Sequence, residues 1–221
     1  MRFRLLNLMR QGLKKGQSIV ELTLILLMLL TLLTAVVEFG NLLNQYIIVV
    51  DAARAGARFG SNDDPFIRTT DPFTLDANFF TNIDIIVEGA EAGRNPAPPA
   101  HDLDKGALTP IRLNPADGDD VVISFFSIHD GVLTRFPDFV NGWSYYGHHG
   151  YTGQTSNFTT AQLEAQIPAS IAPDTGMVLV EIYYNYHQIL GFWRLIGVPD
   201  PIEVYTYAIM PLSAAEPTPE P

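Results

Sequence analysis

Few residues in this sequence have the types and spacing that metal chemistry requires. His148 and His149 are adjacent, while His129 and His187 lie elsewhere in the chain. Imidazole nitrogens bind Zn²⁺ when several ligands converge on one point. Adjacent side chains on a loop diverge, and the chain has neither an H-x-x-x-H spacing nor a cysteine. We therefore expect these histidines to pack against aromatic rings or to face solvent, and we expect no metal site.

Two acidic turns have the composition of calcium-binding loops. One is DGDD at 117–120, and the other is formed by Asn62, Asp63 and Asp64. Neither matches an EF-hand loop, in which the acids alternate and end in a bidentate glutamate. The sequence also has no phosphate-binding loop, no G-x-S-x-G elbow and no cysteine nucleophile. These observations predict a protein that is not an enzyme and needs no cofactor.

Glu21 is the most informative single residue, because its carboxylate lies near the start of a long apolar run. Every residue from Leu22 to Val37 is apolar, Ala or Thr, and Ile19 and Val20 extend the run around Glu21. A helix that spans a bilayer needs about 20 such residues. A carboxylate within a membrane helix costs about 2.5 kcal/mol or more near the centre, so it indicates a function by default. The simpler alternative is that Glu21 extends its carboxylate to the lipid headgroups.

The charge distribution gives this segment an orientation. The first 15 residues carry five of the 13 basic residues and none of the 24 acidic ones. A basic leader favours a cytoplasmic N-terminus. The rest of the chain is strongly acidic, so we expect no nucleic-acid partner, because phosphate binding needs a basic face. The chain has no cysteine, so an exported domain must be stabilised by its apolar core.

Two ordinary interpretations of the apolar run remain open. A secretory signal peptide would need a small-x-small cleavage site, whereas this run leads into Val36-Val37-Glu38-Phe39. An uncleaved signal anchor fits the length but gives no reason for Glu21.

The helix is expected to continue beyond the membrane. Apolar or small residues recur in steps of four and three, which is typical of one helical stripe: Phe39, Leu43, Tyr46, Val50, Ala53, Ala57 and Gly60. No proline precedes Pro65, and Gly60-Ser61-Asn62 is a plausible end. We therefore predict one helix over about 17–60, with a face on which a folded domain can dock.

Three motifs in this region resemble those of a known family. The segment Gly16-Gln17-Ser18-Ile19-Val20-Glu21 before the apolar run resembles the prepilin signal of type IV pilin-like proteins. The segment Val37-Glu38-Phe39-Gly40, followed by the alanine-, glycine- and arginine-rich residues 51–58, resembles the TadE-like family. Members of that family are pseudopilins of the tight-adherence (Tad, or Flp) pilus system.

The resemblance implies processing and assembly. A prepilin peptidase would cut after Gly16 on the cytoplasmic side, leaving Gln17 as an N-methylated first residue and Glu21 as the fifth. The Glu21 carboxylate, about 6 Å along the helix from the new terminus, would then pair with the α-ammonium of a neighbouring subunit and fix its register. The small residues Gly40, Ala53, Gly56 and Ala57 are expected to permit close helix packing.

The rest of the chain predicts an antiparallel β-rich domain over 61–213, which makes the fold class α+β. Strands are expected at 121–129, at 177–187 and at its partner 203–210, with a possible short strand at 83–88 and a short helix at 160–167. Residues 92–106 and the aromatic, glycine-rich residues 140–158 indicate loops, and 214–221 an acidic, proline-rich flexible tail.

Together these features predict a pseudopilin of the Tad pilus system in the inner membrane. It would cross the membrane once, with residues 1–16 in the cytoplasm as a cleaved leader and the domain outside. Its expected partners are the prepilin peptidase, other pilins of that system and the membrane. The alternative is a permanently anchored extracellular binding module with an uncleaved signal anchor.

Overall fold

The structure is a computed structural model that describes residues 2–67, 74–89, 111–129, 132–137, 141–166, 175–191, 193–194 and 197–212, with side chains from Gln17 onward. The loop expected at 92–106 and the tail expected at 214–221 lie outside these residues. The chain divides into two compact units. The first comprises residues 1–43 and 187–202, and the second comprises residues 44–186 and 203–221.

Helix α1 runs from Arg2 to Gly60 and so begins earlier than the expected position 17. The leader consists largely of leucine, arginine and lysine, which favour helix, and contains no proline to interrupt it. The predicted end at Gly60 is confirmed. The side chains of Ser61 and Asn62 both donate to the Arg58 carbonyl at 2.8 Å and so satisfy one of the last helical acceptors.

The second unit is built on an antiparallel sheet, which confirms the α+β class. Its strands are β3 (Asp120–His129), β4 (Val132–Phe136), β5 (Trp143–Ser144), β6 (Thr175–Tyr186) and β7 (Ile202–Leu212). The strand order is β4-β3-β6-β7, and β5 also pairs with β3. The strands predicted at 121–129, 177–187 and 203–210 are therefore confirmed, as is the adjacency of the last two. Strands β1 (Phe66–Ile67) and β2 (Thr74–Leu75) form a separate small hairpin.

Both faces of the sheet are buried, and β3 contributes to each. Its odd-numbered residues Val121, Ile123 and Phe125 belong to the larger core, whereas Phe126 and Ile128 belong to a smaller one. This alternation follows the two-residue period of a strand. The smaller core is closed by Leu163 of α4 (Thr160–Gln166), the short helix predicted at 160–167.

The prediction of a strand at 83–88 was wrong, because these residues end helix α2 (Ala77–Glu88). The run of isoleucine and valine favours a strand locally. Yet Phe79, Phe80, Ile83 and Val87 recur at helical spacing and all pack into the larger core. Asp76 starts the helix by accepting from the Asn78 N–H at 2.9 Å. Burial of this face therefore outweighs the strand propensity.

The segment 140–158 is more ordered than the expected loop. It contains β5 and a single helical turn, α3 (Tyr145–His148), in which the Gly147 N–H donates to the Ser144 hydroxyl as the N-cap. Trp143, Tyr145 and Tyr146 are buried, so these aromatic side chains fill the core instead of facing solvent.

Candidate functional site

The predicted processing site lies within α1. Gly16 is helical, and Glu21 is exposed one turn beyond Gln17. The Gln17 Nε2 group donates to Glu21 Oε1 at 3.1 Å. In the unprocessed chain, the carboxylate therefore has a neutral partner on its own helix, since residues four apart are neighbours on a helix surface.

The segment after Glu21 is long and apolar enough to cross a membrane. The span Gln17–Gly60 contains an 18-residue window of mean hydropathy 2.5 that is not buried inside the protein. Its side chains, such as Leu24, Met28 and Leu32, are more than half exposed. The hydroxyl groups of Thr23, Thr31 and Thr34 donate to carbonyls of the same helix, so they present no unpaired donor to lipid. This apolar helix indicates membrane anchoring.

Glu38 follows the apolar run directly and is fully buried. Its Oε1 accepts the backbone N–H of Ile189 at 2.9 Å, and its Oε2 accepts that of Leu190 at 2.8 Å. Both residues belong to the same unit as the membrane helix. Glu38 is not among the site residues predicted from the sequence. The available signal was its position as the first charged residue after the apolar run.

Residues 187–202, which we call the return loop, are held by a second carboxylate. Asp200 accepts the Gln188 N–H at 3.1 Å and lies 3.7 Å from both His187 Nδ1 and an Arg194 guanidinium nitrogen. The Gln188 side chain also donates to the Pro199 carbonyl at 3.0 Å. The two ends of the return loop are therefore fastened together.

In the second unit, α1 uses a face that is rotated from the predicted stripe. Residues Val49, Ala52, Ala53 and Ala57 are buried, whereas Tyr46, which was expected on this face, is exposed. The predicted stripe repeats every 3.5 residues, whereas an α-helix has 3.6 residues per turn. The stripe therefore rotates around the helix by about 20° per heptad, or roughly 60° over the three heptads from 39 to 60. The beginning of the predicted stripe therefore turns away from the buried side, and Phe39 and Leu43 are exposed as well.

The two predicted packing glycines of α1 have opposite surroundings. A Cβ added at Gly56 would lie 2.7 Å from Val87 Cγ2 and 3.3 Å from Ile83 Cγ2, both on α2. A Cβ at Gly40 would meet nothing within 4 Å. Gly56 therefore permits a close approach of helices within the domain, as do its buried neighbours Ala53 and Ala57. Among the described residues, no neighbour gives Gly40 such a role.

The acidic turn at 117–120 is used for internal structure. Asp120 accepts from the N–H groups of Tyr146 and Gln154 at 3.1 and 2.7 Å and from the Ser144 hydroxyl. Asp119 accepts the Asn185 N–H at 2.7 Å. Burial raises the pKa of both carboxyl groups, and these hydrogen bonds oppose that rise. The two carboxylates thus hold the aromatic segment and β6 to the start of β3.

Glu88, at the end of α2, has a strongly perturbed carboxyl group. Its pKa is raised to about 8, chiefly by burial and in part by the charges of Asp119 and Asp120, while the Tyr146 hydroxyl, which donates to it at 2.7 Å, opposes the rise. The adjacent histidines pack against aromatic rings, with His148 stacked on Trp143 at a centroid distance of 4.8 Å and His149 at 4.5 Å from Tyr145. Within the part of the chain that the structure describes, no group of three His, Cys, Asp or Glu residues is placed to hold a metal ion.

Comparison with known proteins concerns the helix alone. No curated protein and no solved structure gives a significant match to the chain. Residues 16–58, however, match the family model described as TadE-like protein. The matched segment begins at the predicted cleavage glycine and ends near the C-terminus of α1. The resemblance found in the sequence is thereby confirmed over this helix.

Proposed function

We propose that this chain is a pseudopilin, a minor pilin-like subunit in the biogenesis of a Tad (Flp) pilus. The observation that supports the proposal is the family match over 16–58, which spans the helix from Gly16 through the membrane segment to the small-residue stripe. In this proposal the chain acts by assembly and performs no enzymatic reaction. It is inserted into the inner membrane, processed, stored in the bilayer and then packed laterally against other pilin-like helices.

Processing is the first step. The basic leader stays in the cytoplasm, and the acidic domain lies on the other side of the membrane. A prepilin peptidase then cleaves between Gly16 and Gln17. The new α-ammonium group of Gln17 then lies one helical turn, about 6 Å along the helix, before Glu21.

Storage and assembly depend on the charge of Glu21. Within the bilayer, the Gln17 amide gives the carboxylate a local hydrogen bond. During assembly, the α-ammonium of a neighbouring subunit replaces this weaker partner, since a hydrogen bond between two charged groups is the stronger one. A subunit displaced by one turn would leave both charges unpaired in an apolar environment, so the pair selects one register.

The domain half of α1 retains a surface that fits lateral packing. Tyr46 and Ile47 are exposed, and with Ile48, Val50, Asp51 and Arg54 they line an open recess on this half of the helix. A second helix that covers this recess would bury its exposed apolar side chains.

The test is to determine the mature N-terminus in cells that contain the peptidase. Gly16→Leu should abolish cleavage and leave full-length protein in the membrane, because the peptidase must seat a small residue at that position. Gly12→Leu is the matched control, since Gly12 is a second leader glycine without an acid five residues later. It should be processed normally. N-terminal sequencing or intact mass of membrane and sheared-pilus fractions gives the readout.

The same measurement separates this proposal from the permanently anchored binding module. A module held by an uncleaved signal anchor begins at Met1 whether or not the peptidase is present, and it is absent from sheared pili. Wild-type protein that retains its leader in peptidase-containing cells would therefore refute the pseudopilin assignment.

A further inference from the structure

We propose that the return loop is a second membrane contact, which lies in the outer lipid boundary beside the point where α1 leaves the bilayer. The inference rests on the membrane insertion described above and does not depend on cleavage or pilus assembly. Its occupant is lipid at the junction of headgroups and acyl chains.

Glu38 determines the position along α1 at which the return loop is attached. The apolar run from Ile19 to Val37 is about 28 Å long at 1.5 Å per residue, close to the roughly 30 Å of a hydrocarbon core. Glu38 therefore lies at the edge of that core. Its two hydrogen bonds hold the backbone of Ile189 and Leu190 within reach of the same level.

The direction of the Glu38 side chain brings this contact closer to lipid. Helical side chains lean toward the N-terminus of their helix, so each covers the preceding turn. The Glu38 carboxylate thus points back along the last apolar turn. Thr34 and Ala35 in that turn are half-buried, as are Asn41 and Leu42 in the turn after Glu38.

The two residues held at this position have apolar side chains that are exposed. Ile189 is 65% exposed and Leu190 is 51% exposed, although their backbone N–H groups are satisfied by a buried carboxylate. In a loop that faces only water, two adjacent side chains of this kind would expose apolar surface without a stabilising contact. Held by Glu38 at the end of the apolar run, they add exposed apolar surface beside the membrane helix.

Two further residues of the return loop are of types that are common at membrane interfaces. Trp193 is half-buried, and Arg194 is exposed and pairs with Asp200 at 3.7 Å. Tryptophan and arginine are typical of the boundary between lipid and water, where an apolar body and a polar tip are both accommodated. Glu38 is then a positioning residue: it places the return loop and makes no contact with lipid headgroups itself, because it is fully buried.

The test uses the absence of cysteine from the chain. Ile189→Cys is labelled with an environment-sensitive fluorophore in the full-length protein, reconstituted in nanodiscs of phosphatidylcholine and phosphatidylglycerol. Val132→Cys is the matched control, because Val132 is also aliphatic and 62% exposed but lies on β4. Leu26→Cys reports insertion of α1. Quenching by doxyl groups placed high on the acyl chain is compared with quenching by aqueous iodide.

We expect the 189 label to be quenched by shallow doxyl lipid and shielded from iodide, and the 132 label to behave in the opposite way. Glu38→Gln should reduce doxyl quenching at 189 by at least half and leave the 26 label unchanged, because the amide keeps only one acceptor for the two N–H groups. Equal iodide access at 189 and 132 would overturn the inference. Shielding at 189 that disappears at high lipid-to-protein ratio, without doxyl quenching, would assign the surface to a neighbouring subunit instead. A 26 label outside lipid would refute membrane insertion itself.

Discussion

At the scale of single residues, Glu88 links stability to pH. Its carboxyl group binds a proton more tightly in the folded chain than in the unfolded one, because burial raises its pKa from an ordinary value to about 8. Between about pH 4.5 and pH 8 the folded state therefore holds more protons, and the free energy of unfolding falls as the pH rises. The stability contribution is greatest on the acid side of this window and is lost above it.

We predict that Glu88→Gln flattens this dependence. The amide has no charge to bury, so the difference in unfolding free energy between pH 5 and pH 8 should shrink, by up to a few kcal/mol. Asp119 and Asp120 retain some slope of the same sign, since their pKa values are raised too. Chemical denaturation of the full chain in detergent, followed by tryptophan fluorescence, measures the change. Glu164→Gln, at an exposed site on α4, serves as the control. Identical slopes in the two variants would contradict the assigned role of Glu88.

At the scale of elements, two glycines of one helix should respond oppositely to the same substitution. Gly40→Ala should leave stability unchanged or raise it by up to about 1 kcal/mol, because alanine favours helix and nothing obstructs its methyl group. Gly56→Ala should destabilise the domain, since the new methyl group would press on Val87, a buried and stiff side chain.

Gly56→Leu should cost more, typically 1–3 kcal/mol of overpacking. The stabilities of the three variants are compared by their denaturation midpoints in the same detergent. A Gly56→Ala midpoint at or above that of Gly40→Ala would show that α1 and α2 have room to separate. If Gly40→Ala is fully stable and yet lowers pilus yield, Gly40 acts between subunits.

The sequence predicted those elements whose local pattern agrees with their burial. The end of α1 at Gly60 and strands β3, β6 and β7 follow from helix-stop residues and apolar runs. The strand expected at 83–88 was wrong because isoleucine and valine favour strands locally, while the decisive factor was burial of one helical face against distant residues. Likewise, the Cβ contacts of Gly56 depend on Val87, Ile83 and Val180, and no local pattern specifies those neighbours.

The candidate site could be proposed from sequence only in part. Gly16, Gln17 and Glu21 could be named because the residues that define the motif are consecutive, and their roles stay predictions. Glu38 could not be assigned its role, since its hydrogen-bond partners are Ile189 and Leu190. The backbone N–H groups that bind it carry no signature in the side chains of those residues.

At the scale of the whole molecule, the charge of Glu21 should matter for assembly more than for insertion. We predict that Glu21→Val inserts at least as well as wild type, because a costly carboxylate is removed from the membrane segment. Cleavage at Gly16 should continue. Pilus yield should fall, because the α-ammonium of a neighbour is left unpaired, a loss of order 3–5 kcal/mol at a dry site.

Thr23→Val is the matched control for this experiment. It also makes the start of the membrane segment more apolar, but it removes only a hydroxyl that donates to its own helix at 2.9 Å. Membrane fractionation, intact mass and pilus yield are measured on strains with equal expression. Normal yield in Glu21→Val would disprove the pairing mechanism and leave the family assignment in place.

The bond between Glu38 and the return loop also determines when this protein can finish folding. Its partners lie 151 and 152 residues after it in the chain. Because a chain is made from its N-terminus, Glu38 is made early, and these two hydrogen bonds cannot form until residue 190 has been made as well. Bringing the two ends of so long a segment together costs conformational entropy, which the contacts of the completed sheet offset. The last strand, β7, follows the return loop directly. The contact that holds the return loop to α1 is therefore among the last in the protein to form.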